Sequence, residues 1–252
     1  MENINPLDKA FNEESKDRAK GGRPSFDKLL MFKALIIQSL YNLSDDQLEY
    51  QIVDRSSFKR FLGLKKSDKV PDSKTFWFFR EQLIEKDVIM ALFKTFNEIL
   101  DAGGVFANEG KMVDASFVEA PRKRNTREEN KQIKQTGTAP EHWKETPHKL
   151  CQKDVDARWT KKNNVTFFGY KNHIKADTKT KLIEEFIVTD ASVHDSQAIE
   201  GLLTENDEGQ PLYADSAYTG EKQENTYKSK KVINMVHEKG YKGRVWDIRF
   251  QR

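Results

Sequence analysis

Two aspartates stand where strand-forming sequence runs out. Asp114 sits inside Lys111-Met112-Val113-Asp114-Ala115-Ser116-Phe117-Val118, a short apolar, β-rich run, and Asp215 ends Pro211-Leu212-Tyr213-Ala214-Asp215. A carboxylate among buried strand residues costs free energy unless it is paired or binds a metal. On adjacent strands the two would hold two divalent cations about 4 Å apart, an arrangement that activates water and stabilises an in-line phosphoryl displacement. Oxygen ligands with retained water suit Mg²⁺, with Mn²⁺ as the alternative. Strand-end aspartates also cap turns and helices, and the spacing alone leaves both roles open.

A second set of residues carries positive charge. Between Ala120 and Lys181 there are 16 Lys+Arg against 7 Asp+Glu, a net of +9 in a chain whose total is only +3. A basic middle on a near-neutral protein fits contact with a phosphate backbone, and it equally fits a solvated loop. The candidates for that contact are Arg122, Lys123 and Arg124, just beyond the first aspartate, and Lys171, His173 and Lys175 on a later strand. Residues 120–165 read as a basic insertion. Arg122 to Lys149 lack apolar periodicity, so this stretch is expected to be disordered alone and to order on a nucleic acid. His142 and His148 have no cysteines nearby and do not make a zinc site. Trp77-Phe78-Phe79, at helical spacing, reads as core rather than as a base-stacking surface.

The elements that would position these residues fall into two halves. Residues 1–24 read as a polar, flexible arm, 25–104 as an all-helical domain, and 105–252 as a sheet-containing domain. Leu29, Phe32, Ile36 and Leu40 recur at helical spacing after Ser25, a possible cap. Ser44-Asp45-Asp46-Gln47 has the form of a capping box opening a helix through Leu48 and Ile52. Pro71-Asp72-Ser73 starts a helix carrying Phe76, Phe79 and Leu83. Asp87 starts another, with Val88, Leu92, Phe96, Ile99 and Leu100 on one side, closed by Gly103-Gly104. Beyond Gly104 the period changes. The Asp114 strand is followed by strands at Thr166 to Ala176 and Ile183 to Thr189, joined by the turn Asp177 to Thr180. A helix capped by Asp195, the Asp215 strand, a polar helix over Tyr218 to Lys228 and a last strand at Val232 to Met235 complete the order. Strands and helices in this order form a mixed α/β sheet flanked by helices.

Composition narrows the rest. With 33% charged and 37% hydrophobic residues and no long apolar run, a membrane-spanning helix is not expected. One cysteine, Cys151, excludes an internal disulfide. The N-terminus has no basic-then-apolar leader, so a cytoplasmic, nucleoid-associated location is expected.

Several short strings now fall into one order: Gly22-Arg23-Pro24-Ser25, Leu43-Ser44-Asp45-Asp46-Gln47-Leu48-Glu49, Phe58-Lys59-Arg60-Phe61-Leu62-Gly63-Leu64 and Val70-Pro71-Asp72-Ser73-Lys74-Thr75 in the first half. Met112-Val113-Asp114-Ala115-Ser116, Gly169-Tyr170-Lys171-Asn172-His173, Val193-His194-Asp195-Ser196 and Tyr213-Ala214-Asp215-Ser216-Ala217-Tyr218 follow in the second. In these strings the chain resembles bacterial insertion-sequence transposases of the DDE type, the group named after insertion sequence five. The resemblance implies a ribonuclease-H-like catalytic domain with Asp114 and Asp215 as its first two acids. They would bind Mg²⁺ or Mn²⁺ ions that activate water and then a DNA 3′-hydroxyl. It also implies a helical N-terminal domain on the terminal inverted repeats, double-stranded element ends and target as partners, and a homodimer in a synaptic complex.

The resemblance stops near the end of the chain. The family's third acid is a glutamate on a helix after the fifth strand. Val232 to Gly243 still resembles the family, but Arg244 to Arg252 does not, and none of Glu221, Glu224 or Glu238 matches that glutamate in position. The expectation is therefore a product truncated before the third acid, a transposase with impaired catalysis. The alternatives are a non-catalytic DNA-binding remnant competing for transposon ends, and a nuclease that only hydrolyses DNA.

Overall fold

The computed structural model describes Leu7, Phe11 and residues 25–120, 123–162 and 164–238. The chain forms two compact units, Met1–Gly103 and Gly104–Arg252.

The first unit is helical: α1 (Lys28–Tyr41), α2 (Asp45–Asp54), α3 (Ser56–Leu62), α4 (Ser73–Glu85) and α5 (Val88–Ala102). Local chemistry sets two of the starts as expected. Ser44 Oγ accepts from the Gln47 amide at 3.2 Å, and Gln47 Oε1 accepts from the Ser44 amide at 3.0 Å, a complete capping box. Asp72 caps α4 through the Thr75 amide at 2.8 Å. Two expected caps are corrected. Asp27, not Ser25, caps α1, accepting from the Leu29 amide at 3.1 Å. Asp87 precedes α5 with φ +50° and makes no side-chain cap.

The core of this unit gathers Met31, Ala34, Ile37, Leu48, Ile52, Phe58, Phe76, Phe79 and Leu83. The stripe read along α1 is off its true face: Leu29 and Leu40 are 49% and 76% exposed. That helix is apolar nearly all the way round, so periodicity does not single out one side. Trp77 and Phe78 also point outward, while Phe76 and Phe79 are buried. Successive residues on a helix are about 100° apart, so three in a row cannot share a core face. On α5 Val88 is buried, but Phe96 and Ile99 are exposed rather than packed.

The second unit is built on a mixed sheet. Its strands are β1 (Lys111–Glu119), β2 (Arg158–Lys162), β3 (Val165–Asp177), β4 (Ile183–Asp190), β5 (Pro211–Tyr213) and β6 (Ile233–Asn234). The order is β2-β3-β1-β5-β6, with β4 also paired to β3. β3 runs antiparallel to β1, β2 and β4, whereas β1, β5 and β6 are parallel neighbours. Two short helices, α9 (Ile199–Leu202) and α10 (Glu221–Ser229), cover one face. There Val113, Leu212 and Ala214 pack with Ile199, Leu202, Tyr218 and Tyr227. Side chains alternate across a strand, so the neighbours of Val113 point the other way. Met112, Asp114 and Ser116 are exposed accordingly. This corrects the reading of Asp114 as a carboxylate among buried residues.

The basic insertion is folded. It contains α6 (Arg127–Thr136), α7 (Glu141–Lys144), α8 (Pro147–Leu150) and β2, around the fully buried Trp143 and Ile133. Its centre is Glu129, whose carboxylate accepts from the Thr126 amide at 2.7 Å, Trp143 Nε1 at 2.8 Å and Lys153 Nζ at 2.9 Å. Burial pushes this carboxyl up, but those hydrogen bonds and the Lys153 charge outweigh it and bring it to about 2. The lack of apolar periodicity had suggested disorder. A small core of one tryptophan, one isoleucine and a charged centre supplies the order instead.

Candidate active site

The parallel pairing of β1 with β5 sets Lys111 against Leu212 and Met112 against Tyr213. Asp114 lies within β1 and Asp215 two residues beyond β5; the same offset, carried past the paired positions, would match Asp215 to Asp114. Both residues are exposed. Asp114 Oδ1 accepts from the Ala115 amide at 2.7 Å. Asp215 Oδ1 accepts from the Ala217 amide at 2.8 Å, which makes Asp215 the cap of the short turn Ser216–Tyr218. Each carboxylate thus has one oxygen on a backbone N–H and a second with no hydrogen bond described. The cap role and the ligand role, which the spacing left open, are compatible at Asp215.

Tyr218 ends the turn that Asp215 caps. It is 1% exposed. Burial, then the negative charges of Asp195, Asp114 and Asp215 in that order, push its phenol well above the ordinary tyrosine value. One hydroxyl therefore feels all three carboxylates. Asp195 is held from the sheet side by Lys171, whose ammonium is 2.8 Å from Asp195 Oδ1 and donates to the Val193 carbonyl at 2.6 Å.

The other basic candidates separate by face. Lys171, His173 and Lys175 alternate with half-buried positions and turn inward, at 7%, 0% and 1% exposure. Lys175 donates to both oxygens of the buried Asp207, at 2.7 and 2.9 Å. His173 Nε2 is 2.9 Å from Thr189 Oγ1, and Nδ1 has no partner among the described residues. Burial lowers its pKa; Asp195 acts to raise it and Lys171 to lower it further. As placed, none of these three presents its charge to a phosphate, a consequence of the strand alternation that the basic spacing had concealed. Lys123 is exposed. Arg124 is half-exposed, pairs with Glu119 at 3.1 Å and lies over the Trp159 ring at 5.7 Å. Arg122 lies outside the described residues.

Histidines 142 and 194 have local roles. His142 Nε2 is 3.4 Å from Glu129 Oε1. His194 Nδ1 accepts from the Ser196 amide at 3.3 Å and caps the turn Asp195–Gln197, a start expected of Asp195 itself. At the far end of the sheet a cavity of about 370 Å³ is lined by Lys123, Cys151, Lys153, Asp154, Phe168 and Tyr170.

Comparison with known families matches residues 108–247 to a transposase DDE domain. The chain belongs to the DDE transposase family. A second match assigns residues 2–82 to a transposase domain, DUF772. No solved structure matches the transposase. DDE transposases act on DNA and use divalent metal ions. In this transposase no group of three His, Cys, Asp or Glu side chains among the described residues is arranged to hold a metal ion. No helix among the described residues is long and apolar enough to cross a membrane. Sequence reasoning passed over Tyr218 and the Lys171–Asp195 pair. Their only signal was position, Tyr218 three residues beyond Asp215 and Asp195 beside His194.

Proposed function

We propose that this transposase binds the terminal inverted repeats of an insertion sequence of the insertion-sequence-five group and cleaves and joins DNA there with Mg²⁺. In this reading Asp114 and Asp215 are the first two acids of a ribonuclease-H-like catalytic domain. The observation that supports it is the parallel pairing of β1 and β5, whose offset, carried past the paired positions, matches Asp215 to Asp114, both of them exposed. Both are hard oxygen donors open to solvent, which suits a cation that keeps part of its water.

The residues themselves divide the work. The Ala115 and Ala217 amides each hold one carboxylate oxygen. Asp114 and Asp215 thereby keep fixed orientations and present the remaining oxygens outward. A divalent cation bound there would lower the pKa of an attacking water or 3′-hydroxyl and neutralise charge on the scissile phosphate. Lys123 and Arg124, just beyond β1, offer cations to the DNA backbone on either side. The helical unit supplies the surface that reads the element end, and two copies of the chain join two ends in one synaptic complex.

A second reading is favoured by one observation, that no third carboxylate among the described residues joins the pair. The chain then binds transposon ends without cutting them and competes with a complete enzyme. Both readings are tested by incubating the purified chain with labelled element-end duplex, with and without Mg²⁺, at fixed salt. Mg²⁺-dependent nicks that vanish in Asp114→Ala, with end binding retained, support the first reading. Binding with no nicks supports the second. Nicks that survive Asp114→Ala defeat the role given to Asp114.

A further inference from the structure

The first helix of the insertion, α6, has two unlike sides. Its inner side is packed: Asn130 and Ile133 are buried, and Glu129 accepts from Trp143 and Lys153. On the outer side Arg127, Lys131 and Lys134 are all exposed. Spacings of four and then three residues set their side chains in one row along the helix. At a rise of 1.5 Å per residue the row is about 10 Å long.

Folding does not ask for this row. Like charges three and four residues apart on a helix repel and destabilise it. Arg127 also sets a cation in the first turn, at the positive end of the helix dipole. Nor does the protein neutralise these charges. In the same segment Arg124 pairs with Glu119, Lys144 with Glu141 and Lys153 with Glu129. Arg127, Lys131 and Lys134 form no ion pair among the described residues. The helix has two acids of its own. Glu129 serves the interior, and Glu128, though exposed, pairs with none of the three.

A row of cations that the fold neither needs nor neutralises suits a row of anions from outside. One strand of duplex DNA is such a row, with a phosphate for every 3.4 Å of axis. The row on α6 spans about three of them. We propose that the outer side of α6 is a DNA-backbone contact of this transposase, in which Arg127, Lys131 and Lys134 hold successive phosphates of one strand. The inference rests on the reading of the chain as a DNA-binding protein and places part of that binding on the insertion. Contacts of this kind position a duplex without reading its sequence. Each one releases condensed counterions, so the row contributes to the salt dependence of binding.

The test follows binding of the whole chain to two labelled duplexes of equal length, one an element end and one of unrelated sequence. Fluorescence anisotropy is read at several salt concentrations without divalent cations. Arg127→Gln/Lys131→Gln/Lys134→Gln should bind both duplexes about tenfold more weakly and lower the slope of log K against log salt by about 2 to 3. Glutamine keeps the helix propensity of the residues it replaces and removes their repulsion, so the Tm should equal or exceed that of the wild type. Lys144→Gln/Lys179→Gln/Lys231→Gln takes the same charge from exposed positions of the same unit and should change the slope by less than about 1. Lys131→Arg/Lys134→Arg keeps the charge and should bind like the wild type. An unchanged slope in the first variant, an equal loss in the second, or a lowered Tm in the first overturns the inference and leaves the DNA-binding reading standing. A wild type that binds neither duplex, even at low salt, overturns both.

Discussion

On the covered face of the sheet Lys111, Lys171 and Lys175 point into the protein, and each meets a carboxylate: Glu184, Asp195 and Asp207. Asp114 and Asp215, both exposed, meet only backbone amides among the described residues. The same strands thus carry two kinds of charge. Inward, an unpaired ion would cost several kcal/mol, so every cation has its partner. Glu184 even occupies the extra position of a β-bulge between Lys175 and Ala176, from which it serves both Lys111 and Lys175. Outward, water screens the repulsion of two like charges, and the pair can wait for a ligand. Paired charges hold the sheet, and the exposed pair is left for the role proposed above.

This contrast can be broken at several points, taken in order of their effect on stability. Asp207→Ala strands Lys175 in the interior and should cost about 3–5 kcal/mol in urea unfolding. A loss under about 1 kcal/mol would mean that Glu184, 3.7 Å from Lys175, takes over the partnership. Glu129→Gln removes the charge at the centre of the insertion and should cost about 2 kcal/mol. In the wild type that contribution is full above pH 4.5 and is lost as the pH falls towards 2, because folding lowers the Glu129 pKa. If the acid limb of the stability curve is unchanged in Glu129→Gln, the insertion is held by other means.

His173 gives a smaller effect of the same sign at higher pH. Burial lowers its pKa, so the folded protein prefers the neutral ring. The unfolded chain takes up a proton first, and stability present above about pH 6.5 falls as the pH drops through the folded value. Thermal scans from pH 8 to 5 should show a steeper loss for the wild type than for His173→Gln; parallel curves would remove His173 from the account. On the open face Asp114→Asn should change stability by no more than about 0.5 kcal/mol, while cation-dependent cleavage falls to background. A large loss of stability there would make Asp114 a structural residue and erase the contrast between the faces.

Much of this architecture is legible in residue order. The capping box at Ser44, the cap at Asp72 and the positions of β1, β3, β4 and β5 follow from local pattern, and the structure has them where pattern puts them. What pattern cannot give is the facing of a strand whose two sides are both mixed. Lys171, His173 and Lys175 look like a basic surface because alternation tells only that they share a side, not which side helices cover. The neighbouring acids that bury them, Asp195 and Asp207, come from turns 20 or more residues later. The strand β2 and the core around Trp143 were missed for a related reason: their stability rests on one carboxylate reaching three partners, which leaves no periodic trace.

The insertion leaves and rejoins the sheet around a single residue. The Ala120 amide donates to the Phe168 carbonyl, and Trp159 on β2 is the cross-strand partner of Phe168 on its other side. Two strand spacings separate these points, roughly 10 Å. A gap that short is spanned as readily by a handful of residues as by the whole of 121–157, and lengthening such a loop costs little. The segment is therefore a cassette: shortened, exchanged or fused to another module, it would leave the offset of β1 and β5, and with it the acid pair, where it stands.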